Sequence, residues 1–483
     1  MSQIEQPKLK LNYKNTFLMG LAFFVILMLW QLYNHYCPLF LSELLEKQTG
    51  QSNELLVGCI MAADNLFAIF LLPIFGTLSD KTNTKWGKRM PYILLGMLCS
   101  AIVFPLIAVL YYIGSLVGVI LVMLLILVIM NIYRNPAVAL MPDLTPKPLR
   151  SKANGIINLV GYIGAVCGAV LTMFLKIENG KEKAIIAFVI ASVLMIVAMI
   201  TLYFTIKERK IAESVKEDLE LGEKLSSSME KIEDDKPLSK ADKKNAIILL
   251  LSVLFWFISF NAVETFNSLF FYNQFGNSGI ASTITIVLTF SSIFTFLLSL
   301  DLPSKIGRKN TVVIGLGCII LGFILILTFL AANNIFTKEV HELYGITNKE
   351  IYKDFGFENI QEYISENKLS LPFNLIPLYL CYVLCGIGWA LINANSYPMM
   401  VEISSSKNIG KFTGYYYTFS MLAQTITPMA VGAWMYSSPS STKVLYIYSA
   451  ITMVIAAIIF VFFKENRKNV KQNLSGIEAL GQE

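Results

Sequence analysis

Long uncharged runs alternate with short clusters of charge along most of this chain. Leu116–Met130 carries no charge and hardly a polar atom, and Ile185–Thr205 is similar. The apolar residues are continuous and do not alternate with polar ones, which excludes membrane β-strands, where lipid-facing and lumen-facing positions take turns. Crossing about 30 Å of hydrocarbon takes about 20 residues of helix. The pattern predicts spans at 16–41, 55–78, 91–113, 116–140, 154–175 and 184–206. A second set follows at 245–272, 280–300, 310–332, 373–400, 411–436 and 442–463. The expected fold class is an all-α membrane protein of about twelve transmembrane helices.

The two sets repeat one another. Arg134-Asn135-Pro136 runs on to Asp143, then through a basic loop to Ala153-Asn154-Gly155. Asn393-Ala394-Asn395 runs on to Glu402, then through a basic loop to Phe412-Thr413-Gly414. Lys152 and Lys411 fall at matching places. A repeated half in a membrane chain is the mark of a carrier that rocks two bundles about a central site. The expected organisation is a six-helix bundle over 1–206, a charged linker over 207–244 and a second bundle over 245–464. The second bundle holds an outside insertion at 333–372, and a tail follows at 465–483. Lys, Glu and Asp nearly balance in the linker, and composition leaves open whether it is helical.

Composition agrees with this reading. Hydrophobic residues make up 55% and charged residues 15% of the 483, with a mean hydropathy of +0.60; soluble domains carry about 25% charge. Lysines and arginines concentrate in alternate loops: Lys8, Lys10 and Lys14; Lys81, Lys85, Lys88 and Arg89; Lys147, Arg150 and Lys152; Lys305, Arg308 and Lys309; Lys407 and Lys411; Lys464, Arg467, Lys468 and Lys471. Positive loops stay cytoplasmic, so the expectation is a multi-pass protein of the cell membrane with both termini inside. The net charge of +6 is then a topology signal and calls for no nucleic-acid partner. The first span is too long for a cleavable signal peptide. The seven cysteines all lie in apolar segments without metal-ligand spacing, and Cys381 and Cys385 share a helix face as packing residues.

The sharpest local motif lies between spans two and three. Gly76-Thr77-Leu78-Ser79-Asp80-Lys81 is followed by Trp86-Gly87-Lys88-Arg89-Met90-Pro91. Gly76 permits close helix approach, and Asp80 sits beside a cluster of cations where pairing would favour one conformation over another. Gly307-Arg308-Lys309 is a weaker echo. Gly76, Asp80, Gly87, Lys88, Arg89, Asp143 and Glu402 are the candidate conformational latch.

This motif resembles that of the major facilitator superfamily. More narrowly, Asp80 through Pro91 is similar to the glycoside–pentoside–hexuronide:cation symporters and the related sucrose-transporter-like carriers. Trp30-Gln31-Leu32-Tyr33-Asn34, Arg134 through Leu144, and Phe255-Trp256-Phe257 through Asn261-Ala262-Val263-Glu264-Thr265 extend the resemblance through both halves. It implies a two-bundle fold and cation-coupled uptake of a sugar or glycoside. The melibiose-type members carry two cation-binding acids in span two, and the matching positions here are Leu72 and Ala68. The Asp that plant sucrose carriers place in span four corresponds to Leu127. The coupling acid must therefore lie elsewhere.

Ionisable residues inside spans are expensive and mark function by default. Asp64 and Glu264 are the candidate coupling acids, since desolvation penalises a charged carboxylate and lets it trade a proton as access changes. The candidate solute-binding set is Gln31, Tyr33, Asn34, Asn65, Asn131, Arg134, Asn135, Asn158, Asn261, Trp389 and Asn393. Amides and carboxylates match sugar hydroxyls, aromatic rings match the apolar sugar face, and Arg134 offers a planar fork. His35 lies near a predicted span end, where exposure to water accounts for it. Gly161, Gly164 and Gly168 read as a packing stripe. No nucleophile–base set, metal cluster or nucleotide loop appears. The expected function is therefore a non-enzymatic, monomeric secondary transporter in the bilayer, without cofactor or metal, moving a small polar solute with a proton. A drug or metabolite exporter and a lysolipid-type carrier are the competing readings.

Overall fold

The computed structural model describes residues 9–51, 53–230, 239–299, 302–344, 369, 371–403, 409–438 and 441–464. The predicted tail and most of the 333–372 insertion lie outside the described residues.

Among the described residues twelve long helices carry the fold. In the first half they are α1 (Tyr13–Thr49), α2 (Glu54–Lys81), α3 (Met90–Tyr112), α4 (Leu116–Asp143), α5 (Arg150–Phe174) and α6 (Glu182–Thr205). In the second they are α7 (Lys240–Phe275), α8 (Gly279–Leu298), α9 (Arg308–Ala332), α10 (Ile376–Ile403), α11 (Ile409–Ser437) and α12 (Leu445–Val461). Among the described residues eleven helices are long and apolar enough to cross a membrane; α11 falls short of that apolarity.

Capping residues set several starts. Asn12, Asn53 and Ser115 accept from the first free amides of α1, α2 and α4. Ser239 and Asp242 form a reciprocal capping box on α7. These side chains satisfy donors that the helix cannot. Gly50 closes α1 with φ 74°, where a side chain would be strained. Because α1 runs to Thr49, the predicted end at residue 41 is a turn or more too early. The ending Ser42-Glu43-Leu44 is polar in part, yet Ser42 and Glu43 are buried. Glu43 accepts from Tyr111 Oη and pairs with Lys181 and Lys47.

Within the first half the packed pairs are α1 with α5 and α6, α3 with α4 and α6, and α2 with α4. Six helices later the same pairs recur: α7 with α11 and α12, α9 with α10 and α12, and α8 with α10. The halves meet along three seams, α2 with α11, α5 with α8, and α1 with α7. Small residues allow the closest approaches. A Cβ on Gly58 or Gly432 would strike the Pro428 or Glu54 carbonyl across the α2–α11 seam. Within the first half, a Cβ on Gly164 would strike the Phe24 backbone, and one on Gly168 would sit 2.9 Å from the Met28 carbonyl. The glycine stripe thus seats α5 on α1, as its spacing implies.

Between the halves, Glu208–Ser214 and Lys216–Glu230 are helical. Gly222 lies over Pro146 and Pro148 beyond the end of α4. The linker therefore returns to the first half along the face where α1 begins and α12 ends, here the terminal face.

Candidate functional site

A cavity of about 840 Å³ lies between the halves, lined by α1, α2, α4, α5, α7, α8, α10 and α11. Helical spacing explains which side chains reach it. Gln31, Asn34 and His35 share one face of α1, as do Arg134, Asn135 and Val138 on α4. Thr285, Thr289 and Ser292 form a hydroxyl stripe on α8; Tyr416, Tyr417 and Ser420, with the amide of Gln424, form a polar stripe on α11.

The cavity opens toward the terminal face. Val138 and Tyr417 near that end are 49% and 42% exposed. At the other end His35, Ser268, Ala281 and Tyr382 are buried. Hydrogen bonds across the α5–α8 seam close that end. Lys176 Nζ donates to Asn277 Oδ1 at 3.1 Å, and Ser278 donates both its amide and its hydroxyl to Glu178. Thr172 and Ser282 hydroxyls lie 2.7 Å apart.

Glu264 lies about two thirds of the way along α7 with its side chain exposed into the cavity. Asn34 Nδ2 donates to its Oε1 at 3.4 Å, from the first half to the second. Asn65 Nδ2 reaches the Gln424 carbonyl at 3.4 Å across the α2–α11 seam. Arg134 places its guanidinium carbon 5.9 Å from the Trp30 ring centre, within cation–π range. Trp389 stacks on Phe260 at 3.7 Å and meets Phe257 edge-on. Asn135 Nδ2 donates to the Leu72 carbonyl at 2.6 Å. An added Cβ on Gly76 would collide with that same amide, so Gly76 serves the α2–α4 approach. Among the described lining residues Glu264 and Arg134 are the acid and the permanent cation, so their charges balance.

Of the predicted solute-binding set, Gln31, Asn34, Asn65, Arg134, Asn135, Trp389 and Asn393 line the cavity, and so does Glu264. Tyr33, Asn131, Asn158 and Asn261 do not. Tyr33 is 1% exposed and packs edge-on against Trp30. Asn131 and Asn261 donate back to the Leu127 and Phe257 carbonyls of their own helices. Asp64 falls on α2, but its side chain is outside the described residues. His35 corrects the expectation of a water-exposed span end. It is 3% exposed and lines the closed end of the cavity, because α1 continues two further turns and more beyond the predicted boundary. Phe260, Ser268, Tyr382 and the α8 hydroxyls were missed. The period of Ser282, Thr285, Thr289 and Ser292 is a helical stripe that sequence alone displays.

The latch candidates sit on the terminal face. Arg89 donates its Nε to Asp143 at 2.8 Å, and its other nitrogens reach Asp80 and Ser79. Burial pulls the Arg89 pKa down, but hydrogen bonds and charge from Asp143, then Asp80, outweigh it and raise it. Arg308 Nε meets Glu402 at 2.8 Å in the second half. Each arginine opens or precedes the third helix of its half, and each acid ends or nearly ends the fourth. The repeat noted in the sequence is thus a repeat of ion pairs, each formed within one half. Gly87 has φ 115°, and a Cβ there would collide with the Glu208 carboxylate. Glu208 instead accepts from the amides of Lys88, Arg89 and Met90 at 2.8–2.9 Å. It caps α3 from the linker, a role that no pattern in the sequence announces.

A family model described as Major Facilitator Superfamily matches residues 10–338 and 369–480. The chain belongs to that superfamily. Solved structures share its fold. The xylose transporter XylE from E. coli, in an inward-open conformation, has a TM-score of 0.63 at 13% identity, covering 95% of this chain and 97% of that one. A bacterial homologue of the iron transporter ferroportin, inward-facing, gives 0.63 at 10% identity over 95% and 100%. The nucleoside transporter NupG gives 0.57 at 16% identity over 94% and 100%. No curated protein matches the sequence. The superfamily assignment makes this chain a membrane transporter and not an enzyme.

Proposed function

We propose that this transporter moves a small neutral polyhydroxylated solute of the sugar class, with Glu264 carrying a coupling proton. The single observation behind this reading is the cavity itself: amides, hydroxyls and aromatic rings surround one acid and one guanidinium of opposite charge. With Glu264 ionised, a neutral solute enters a site whose charges already balance and brings no further charge to be compensated. Gln31, Asn34, Asn65 and Asn393 supply donors and acceptors, and Trp389 on Phe260 supplies a flat apolar face. The motif resemblance to glycoside and sucrose carriers supports the same class.

Glu264 stands at the junction of the halves, so loading and unloading its proton acts where access switches sides. A protonated carboxyl accepts more weakly from Asn34 than a carboxylate does, which loosens the cross-half bond in one step of the cycle. The terminal-face latch, Asp80 with Arg89 and Asp143 and the matching Arg308 with Glu402, pairs within each half, so it would act on the cycle by holding the helix ends of that half in one arrangement. Import across the cell membrane by a monomer, with both termini cytoplasmic, completes the reading.

The test is a screen in proteoliposomes of pentoses, hexoses, glycosides and disaccharides, with nucleosides as the comparison class, with and without a pH gradient. Gradient-stimulated uptake of a sugar or glycoside is expected. Uptake confined to nucleosides would reject the sugar class, and sugar uptake indifferent to the gradient would reject proton coupling.

A further inference from the structure

At the closed end of the cavity three polar side chains form a relay whose protons can be counted. Thr172 of α5 donates its hydroxyl proton to the Ala169 carbonyl at 3.0 Å. Its oxygen also lies 2.7 Å from Ser282 Oγ of α8. A threonine hydroxyl has one proton, so Ser282 is the donor in that contact. The single Ser282 proton is then committed, and Ser282 must accept from His35 Nδ1, 3.4 Å away. A neutral imidazole carries its proton on one nitrogen only. With the proton on Nδ1, the Nε2 atom is a lone pair. His35 is 3% exposed and lines the cavity, and its Nε2 has no hydrogen-bond partner among the described residues. Ser268, which lines the same end and is also 3% exposed, leaves its hydroxyl unpartnered among them too.

We infer that His35 Nε2 is the acceptor for a hydroxyl donor of the bound solute, and that this bond ties solute binding to the α5–α8 seam. Buried acceptors are costly to leave unmade, so a hydroxyl group arriving here completes a chain that already runs from His35 through Ser282 to Thr172. A solute presenting only an acceptor would demand the other tautomer, with the proton on Nε2. Ser282 would then turn its proton to Nδ1, and two hydroxyl protons would have to serve three contacts, so the Thr172–Ser282 bond survives only if Thr172 gives up the Ala169 carbonyl. Otherwise the seam would loosen. His35 is thus both a specificity element, selecting a donor at the closed end, and the hinge between cargo and seal. The binding half of this inference rests on the sugar-class reading; the seam half does not.

Two amide isosteres separate the nitrogens in the purified full-length chain. His35→Asn places an amide near the Nδ1 position, and His35→Gln places one near Nε2. Binding is measured by calorimetry against the pentoses, hexoses and disaccharides of the screen. Seam opening is measured by amide hydrogen exchange over residues 279–285 of α8. His35→Asn is expected to lose about tenfold in affinity while exchange stays at the wild-type level. His35→Gln is expected to keep affinity within about threefold while exchange over that stretch speeds up. Isosteres that behave alike in both readouts would overturn the inference, since a purely structural histidine predicts no such split. Should the wild type bind none of the sugars, the cargo reading falls and the exchange arm decides alone: faster exchange in His35→Gln only supports the relay, and equal exchange rejects it. Ser282→Ala removes the relay while leaving the His35 side chain itself in place and is expected to speed the same exchange; an unchanged rate overturns the seam link even if either amide variant misfolds.

Discussion

Asn34 and Glu264, 230 residues apart in the chain, meet at 3.4 Å inside the cavity and join the two halves. The bond connects helices that must move against each other if access is to alternate. Its strength depends on the charge of Glu264, because an ionised acceptor binds an amide roughly twice as strongly as a neutral one.

Glu264→Gln keeps a polar partner for Asn34 but has no proton to release. Accumulation driven by a pH gradient is expected to fall to the level seen without one, while counterflow of unlabelled for labelled solute persists. The check is a pair of proteoliposome assays run side by side. Uphill uptake equal to the wild type would end the coupling role of this acid.

Arg89 is held from two sides, and the two acids are not equivalent. Its side chain is 7% exposed, while Asp143 is 39% and Asp80 61% exposed. Removing the less exposed partner by Asp143→Asn is expected to lower stability by about 1.5–3 kcal/mol, since a charged hydrogen bond is lost while Arg89 keeps Asp80 and Ser79. Asp80→Asn is expected to lose about 0–1 kcal/mol and to slow turnover with little change in solute affinity. Thermal unfolding and transport kinetics measure the two effects. A large affinity loss at normal turnover in Asp80→Asn would contradict a latch.

Glu208→Ala removes the cap from three amides at the start of α3. A loss of about 1 kcal/mol is expected, with faster amide exchange confined to residues 88–92 of the loop and first turn. Unchanged exchange there would mean that the linker does not hold α3.

Gly164→Leu drives a side chain into the Phe24 backbone, where no rotamer can yield. A stability loss of about 1–3 kcal/mol or more is expected, seen as a lower melting temperature or lost expression. Wild-type behaviour would show that α1 and α5 can separate locally without cost.

Helix existence was legible because an uncharged apolar run of span length is hard to place anywhere but in a membrane-crossing helix. Helix ends were less so. α1 outruns its apolar pattern because Glu43 is buried with partners on α3 and beyond α5, which hydropathy does not see. The repeat was visible in Asp143 and Glu402, and Arg89 and Arg308 stood in basic motifs, but which acid each arginine pairs with became apparent only when the third and fourth helices of each half were placed side by side. In the cavity, the amides of α1, α4 and α10 stood out as polar atoms in apolar runs. Asn131 and Asn261 stood out equally and turned back onto their own helices, a choice that depends on a rotation of about 100° per residue. Glu208 was hidden for a different reason. It is one acid in a mixed run of charge, and its partners are backbone amides, which every residue but proline carries.

The least apolar of the long helices, α11, has a consequence for how the chain is made. Its hydroxyls at Thr418, Thr425 and Thr427 turn back to carbonyls one turn earlier, yet Gln424 and a run of tyrosines still have little affinity for lipid. During synthesis the ribosome releases α11 after α2 and α7, the helices against which it packs. A nascent chain therefore offers this segment a protein groove before it is asked to enter oil. A truncated chain that began at the second half would deprive α11 of α2, and its insertion would stall at the water boundary.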